Sequence, residues 1–279
     1  MNLKRTQIAL SNYPYFKYSL SYTLDSLAKL GAHEIELYAC DPHFHIDDTE
    51  LPQVVALKKN LKERDLRPIC LTPEQVKYPV NIASPNPVCR KRSVGTYIKC
   101  IQYANELECP SVQFHAGFAT LDDSQDRAWS RSFDSLSCLA DIAKGYGVTV
   151  MMESAPKTMT ILTDSGKVAK MVSEINSPAL WGMIDTLTLV LCNETIDTAI
   201  RNIGPTRIGH FHISDAVTKA ARDHVIPGEG DLDLEYMIKA LDKAEYSHYI
   251  TLEMLDTYEM NPEEAMRKGA DWLRAHIAD

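Results

Sequence analysis

Short apolar runs alternate with longer amphipathic segments at a regular interval from one end of the chain to the other. The runs have the length and β-branched content of buried strands, and the segments between them have helical periodicity. The first unit places a strand at 6–10 and a helix at 21–30, with Gly31 in a C-cap position. The second has an alternating strand at 33–38, the loop Asp41-Pro42-His43-Phe44-His45 and a helix at 50–64. A strand at 68–72, a loop at 73–88 rich in Pro and Asn, and a helix at 90–106 make the third. The fourth runs through a strand at 111–115 and a helix at 124–144, ending near Gly147.

The second half keeps this rhythm. Strand 149–153 is followed by a helix from Ser165, and strand 180–185 by a helix at 194–203 that stops at Gly204. Strand 207–214 leads into a long loop to Asp231 and a helix to Lys243. Strand 249–253 precedes a helix at 262–277, with Pro262 suited to its first turn. Eight strand–helix units without a linker predict a single α/β domain over 1–279, a (β/α)8 TIM barrel. An open doubly wound sheet fits less well, because no glycine-rich phosphate turn follows the first strand.

Composition narrows the function. Apolar residues at 45% and charged residues at 24% are those of a globular protein with a sizeable core. A net charge of −9 argues against a protein that grips nucleic acid through many phosphate contacts, and suits a small neutral or cationic substrate. Seven scattered cysteines with no CxxC pair, and a start without a signal peptide, imply free thiols in a reducing cytoplasm. No apolar run approaches the roughly 18 residues that cross a bilayer, so no membrane partner is expected.

In a parallel barrel the reactive groups gather at the carboxyl ends of the strands. Glu153, Asp185, His212 and Glu253 end the apolar runs of units five, six, seven and eight. Taken singly, each carboxylate reads as a loop acceptor or an N-cap. Together, three carboxylates cannot remain ionised side by side in an apolar barrel without a cation, because unpaired buried charge costs several kcal/mol. One divalent ion solves this. Oxygen-rich ligation with one imidazole favours Mn²⁺, with Mg²⁺ or Co²⁺ as alternatives, over a closed structural zinc site.

In the stretch Ile208-Gly209-His210-Phe211-His212-Ile213-Ser214-Asp215, alternation puts His210 and His212 on one face. His210 then lies one layer deeper, as lining or as a partner of the ligand, and Asp215 either orients the site or caps the loop. His115 ends the fourth strand on the face of Gln113 and Ser111. His45, with His43, lies in a loop on the same barrel face, and the loop after His212 carries Arg222 and His224. His115, His45, Arg222 and His224 are accordingly the candidates for substrate contact.

At these residues the sequence resembles the xylose-isomerase-like sugar isomerase/epimerase superfamily over essentially its whole length. The likeness is carried by the four-residue metal set, by His210-Phe211-His212-Ile213-Ser214-Asp215 and by the turn Ile226-Pro227-Gly228-Glu229-Gly230. The run from Leu71-Thr72-Pro73-Glu74 to Tyr78-Pro79-Val80-Asn81, and His115-Ala116-Gly117, look most like the fructoselysine 3-epimerases and the tagatose/psicose 3-epimerases. The resemblance implies 3-epimerisation of a ketose or a fructosamine-like conjugate through a metal-stabilised enediolate. Glu153 and Glu253 would be ligands and also the acid/base pair, while Asp185 and His212 hold the ion. A small sugar is the implied partner, and a homo-oligomer is compatible with it.

The likeness has gaps. Where ketose 3-epimerases carry a substrate-binding Glu, His and Arg, this chain has Met159, Thr188 and Thr218. Elimination on the same metal barrel (C-glycoside deglycosidation or dehydration) and a non-catalytic sugar-binding barrel are the other readings. Apurinic-site endonucleases share the superfamily fold, but the acidic balance and the shortage of further His and Asp ligands disfavour that activity.

Overall fold

The computed structural model describes residues 2–76, 80–155, 159–220, 222–255 and 258–278. The strands are β1 (Ile8–Ser11), β2 (Glu34–Ala39), β3 (Arg67–Pro73), β4 (Ser111–Phe114), β5 (Thr149–Met152), β6 (Leu180–Asp185), β7 (Ile208–Ile213), β8 (Asp215–Val217), β9 (Arg222–Val225) and β10 (Tyr249–Leu252). Eight of them close into a barrel in the order β1-β10-β7-β6-β5-β4-β3-β2, and β8 and β9 form a separate antiparallel hairpin. Adjacent barrel strands pair in parallel. This is the expected (β/α)8 barrel.

The intervening helices are α1 (Leu20–Lys29), α2 (Leu51–Lys62), α3 (Pro87–Glu106), α4 (Gln125–Tyr146), α5 (Ser165–Ile175), α6 (Thr186–Cys192), α7 (Ile196–Ile203), α8 (Leu234–Lys243) and α9 (Pro262–His276). Side-chain caps fix several of their starts. Asn86 accepts from the amides of Val88 and Cys89, so α3 begins at Pro87, three residues before its expected start. Leu27, Leu57, Ile101, Leu139, Val168, Ile238 and Leu273 pack inward from the helices on one apolar core. Strand residues such as Ile35, Leu37, Val112, Phe114, Phe211 and Ile213 meet them.

Strand alternation sends a different set into the lumen. Glu36, Thr72, Gln113, Asp185, His210, His212 and Thr251 are all 3% exposed or less. Polar groups at that depth need partners, since each orphan costs about 1–3 kcal/mol. The upper lumen is therefore a hydrogen-bonded polar site above the apolar shell.

Two elements differ from expectation. The segment after Asp185 is helix α6, although its Thr-Leu-Thr-Leu-Val-Leu run has β-type composition. Asp185 starts it as N-cap, accepting from the Thr188 amide at 2.7 Å. The long loop after β7 contains the β8–β9 hairpin, pinned by Asp215 at its base. Tyr78 and Pro79, part of the loop run that carried the resemblance, lie outside the described residues.

Candidate metal centre

The ends of β5, β6, β7 and β10 are neighbours in the barrel, so residues far apart in sequence meet there. Pairing places Asp185 beside His212 and Thr251 beside His212, and the Glu253 amide donates to the Ile213 carbonyl at 3.1 Å. Donor atoms of Glu153, Asp185 and His212 lie within 4.8 Å of one another, all buried. Glu253 is not part of that cluster, but its Oε2 lies 3.1 Å from His212 Nδ1.

Asp185 divides its carboxylate between two tasks. One oxygen caps α6, while Oδ2 is buried without a hydrogen-bond partner. An orphaned carboxylate oxygen facing two further acidic groups fits a cation. The electrostatics agree: burial and the charges of Asp185 and Glu253 push Glu153 well above the usual carboxylate range. Burial and Glu253 push Asp185 up to about 7. Glu253 shifts the other way, because the charges of His212 and His224 outweigh its burial.

Glu36 was not among the sequence candidates. It is fully buried on β2, and its Oε2 accepts from Nε2 of His210 at 2.8 Å and Nε2 of His212 at 2.9 Å. Its Oε1 accepts from Thr72 at 2.7 Å and Tyr13 at 3.1 Å. Burial alone would favour the neutral acid, but His212 and His210 hold this carboxyl well below its usual range. Glu36, His210 and His212 also lie close enough together for a metal. Four donors saturate the Glu36 carboxylate, however, so this group is a hydrogen-bond network rather than a second ion site. It occupies Nε2 of His212 and leaves Nδ1 facing Glu253. The only sequence signal was inward placement: alternation in Glu34–Ala39 puts Glu36 opposite Ile35 and Leu37.

The remaining candidates separate. His115 lies 3.8 Å by Nε2 from Glu153 Oε2, and burial lowers its pKa to about 4. His224 lies at the same 3.8 Å distance from Glu253 Oε2, on backbone of φ 51°. His210 sits beneath His212, bonded to Glu36 and Thr251. A cavity of about 610 Å³ opens above the cluster, lined among others by Glu153, Glu253, Gln113, His115, Tyr38 and His45. His43 is absorbed elsewhere, bonding Asn12 and the Tyr18 carbonyl.

Two candidates lie away from the ligand cluster. Arg222 is exposed; neither it nor His224 lines the cavity, but His224 is half-buried with Nε2 3.8 Å from Glu253. Of the two roles expected for Asp215, the loop cap is the one its bonds fit: its carboxylate accepts from the amides of Ala216, Gly228, Gly230 and Leu232 at 2.8 to 3.1 Å. A Cβ on Gly230 would collide with that carboxylate, which explains the glycine in the turn. At the gaps in the likeness, Met159 is buried, Thr188 spends its amide on Asp185, and Thr218 is tied to Asp231.

The model of the family described as "Xylose isomerase-like TIM barrel" matches residues 24–276. The chain belongs to this family. Fructoselysine 3-epimerase of Shigella flexneri is 23% identical over 261 residues, covering 93% of this chain and 94% of that protein. Among solved structures, D-psicose 3-epimerase in the presence of D-fructose superimposes with a TM-score of 0.82 at 16% identity, covering 98% of this chain and 100% of that one. The IOLI protein with a zinc atom gives 0.81 at 18% identity over 97% of this chain and 98% of that one. At these identities the structural matches bear on the fold of this family member.

Proposed function

We propose that the chain is a divalent-metal-dependent sugar isomerase/epimerase that acts on a ketose or ketose conjugate by 3-epimerisation. The observation that carries this reading is the buried, partnerless Asp185 Oδ2 among Glu153, His212 and Glu253. Glu153, Asp185, His212 through Nδ1, and Glu253 would hold the ion. Their oxygen-rich set favours Mn²⁺, with Mg²⁺ or Co²⁺ next. When bound, the ion supplies charge neutralisation for the carboxylates and a Lewis acid for the ketone oxygen.

The protein groups account for inversion. Glu153 and Glu253 follow β5 and β10, the outer two of four neighbouring strands, with Asp185 and His212 between them. Two carboxylates flanking one position let one remove the proton from the carbon beside the ketone while the other returns a proton to the opposite face. His115 and His224, one beside each carboxylate at 3.8 Å, would bond sugar hydroxyls. His45 reaches the cavity from the rim. The similarity to a fructoselysine 3-epimerase supports the substrate class.

The test is a panel of ketoses, fructosamines and C-glycosides assayed in heavy water with Mn²⁺. The expected result is solvent deuterium at the carbon beside the ketone, with inversion, abolished by a chelator. Full exchange in metal-free protein overturns the mechanism, and a dehydrated or deglycosylated product replaces epimerisation with elimination.

A further inference from the structure

Glu153 is approached by a chain of buried neutral groups. Gln113 Nε2 donates to Glu153 Oε2 at 2.6 Å, and Gln75 Nε2 donates to Gln113 Oε1 at 2.8 Å. Gln75 Oε1 accepts from the Tyr97 hydroxyl at 2.6 Å. Tyr97, Gln75 and Gln113 are 2% exposed or less. They come from three different places: α3, the loop after β3, and β4.

Amide oxygens and nitrogens look alike, so the polarity of such a chain needs an anchor. Two backbone groups supply it. The His115 amide, which can only donate, points at Gln75 Oε1 at 2.9 Å. The Gln113 carbonyl, which can only accept, lies 3.2 Å from Gln75 Nε2. The orientation of Gln75 is thereby fixed, so Gln113 must present its oxygen to Gln75 and its N–H to Glu153. Tyr97 is itself held by stacking on Phe114, with ring centroids 3.9 Å apart.

Glu153 and Glu253 are therefore supported differently. Glu253 Oε2 faces two imidazoles, His212 and His224, one of which is the expected ligand. Glu153 Oε2 instead accepts from a rigid amide at 2.6 Å, with a single imidazole, His115, at 3.8 Å. We propose that Gln113, oriented by Gln75, is a positioning residue that sets the Glu153 carboxylate in its ligand pose. This rests on the metal reading above.

Titration of the metal-free full chain with Mn²⁺ alone tests it. Gln113→Leu is expected to weaken Mn²⁺ binding by about 10- to 100-fold, the usual effect of losing a group that orients a ligand. It should also alter the electron paramagnetic resonance spectrum of the bound ion. Gln75→Leu touches neither Glu153 nor the ion, yet should change affinity and spectrum in the same direction, by about 10-fold. It also guards against a Gln113 variant that fails to fold. The double variant should bind no worse than Gln113→Leu, because the two residues act through one bond. Wild-type affinity in both single variants, or losses that multiply in the double variant, overturns the inference and leaves the metal site standing. A wild-type protein that binds no divalent ion overturns both.

Discussion

Glu36 and His212 are 176 residues apart in sequence and joined by a 2.9 Å hydrogen bond at the base of the site. The bond decides which ring nitrogen of His212 faces upward, because Glu36 claims Nε2. Glu36→Gln keeps the shape but sets an amide N–H against groups that themselves donate. Mn²⁺ affinity is expected to fall about 10- to 100-fold. Breaking a buried ionic network of this kind should also cost about 3–5 kcal/mol of stability. Metal titration and denaturant unfolding check the two effects, and an unchanged affinity would reduce Glu36 to packing.

Asp185 contributes to the pH response of the metal-free protein, beside Glu153, which burial and its acidic neighbours also raise. Its folded value, pushed to about 7 by burial and Glu253, lies above the ordinary 3.8. A carboxyl raised in this way contributes stability that is present below 3.8 and is lost as pH rises through about 7. Metal-free protein should lose thermal stability across that window, and Asp185→Asn should reduce the loss, Glu153 supplying the remainder. Wild type with Mn²⁺ at 100 times its dissociation constant should gain about 2.7 kcal/mol, a gain the variant lacks. Calorimetry from pH 4 to 8, with and without Mn²⁺, reads both.

Glu253→Gln removes one of the two flanking carboxylates without changing volume. Net epimerisation is expected to fall about 10²- to 10⁴-fold, the range for losing a positioned acid or base. Glu153→Gln should do the same. Unchanged turnover in either variant would point to a different base, and the absence of any turnover in wild type to a binding barrel.

Asp215 holds the loop that carries His224. Asp215→Ala would strand four backbone amides at 2.8 to 3.1 Å from the missing carboxylate. The expected cost is about 3 kcal/mol or more, since each buried donor left alone costs roughly 1–3. Protease cleavage within 215–231 should accelerate. If cleavage there is unchanged, the clasp is not what orders the hairpin.

Much of this architecture is legible in local pattern. Strand alternation and helical period are properties of a few neighbouring residues, so eight units, the barrel and the inward faces of β5, β6, β7 and β10 follow from the chain alone. The same alternation marks the ends at Glu153, Asp185, His212 and Glu253. Helix α6 was hidden because the Asp185 cap overrides its β-branched composition.

The sequence by itself therefore determined the barrel and the four residues at its mouth. Tertiary structure decided the partners: Glu36 beneath His212, Gln113 against Glu153 with Gln75 behind it, and His224 beside Glu253 while Arg222 stays exposed. Period tells which face a side chain takes, but a hydrogen bond also needs a partner at about 3 Å. Across a closed barrel that partner comes from another strand, and only closure brings it within reach.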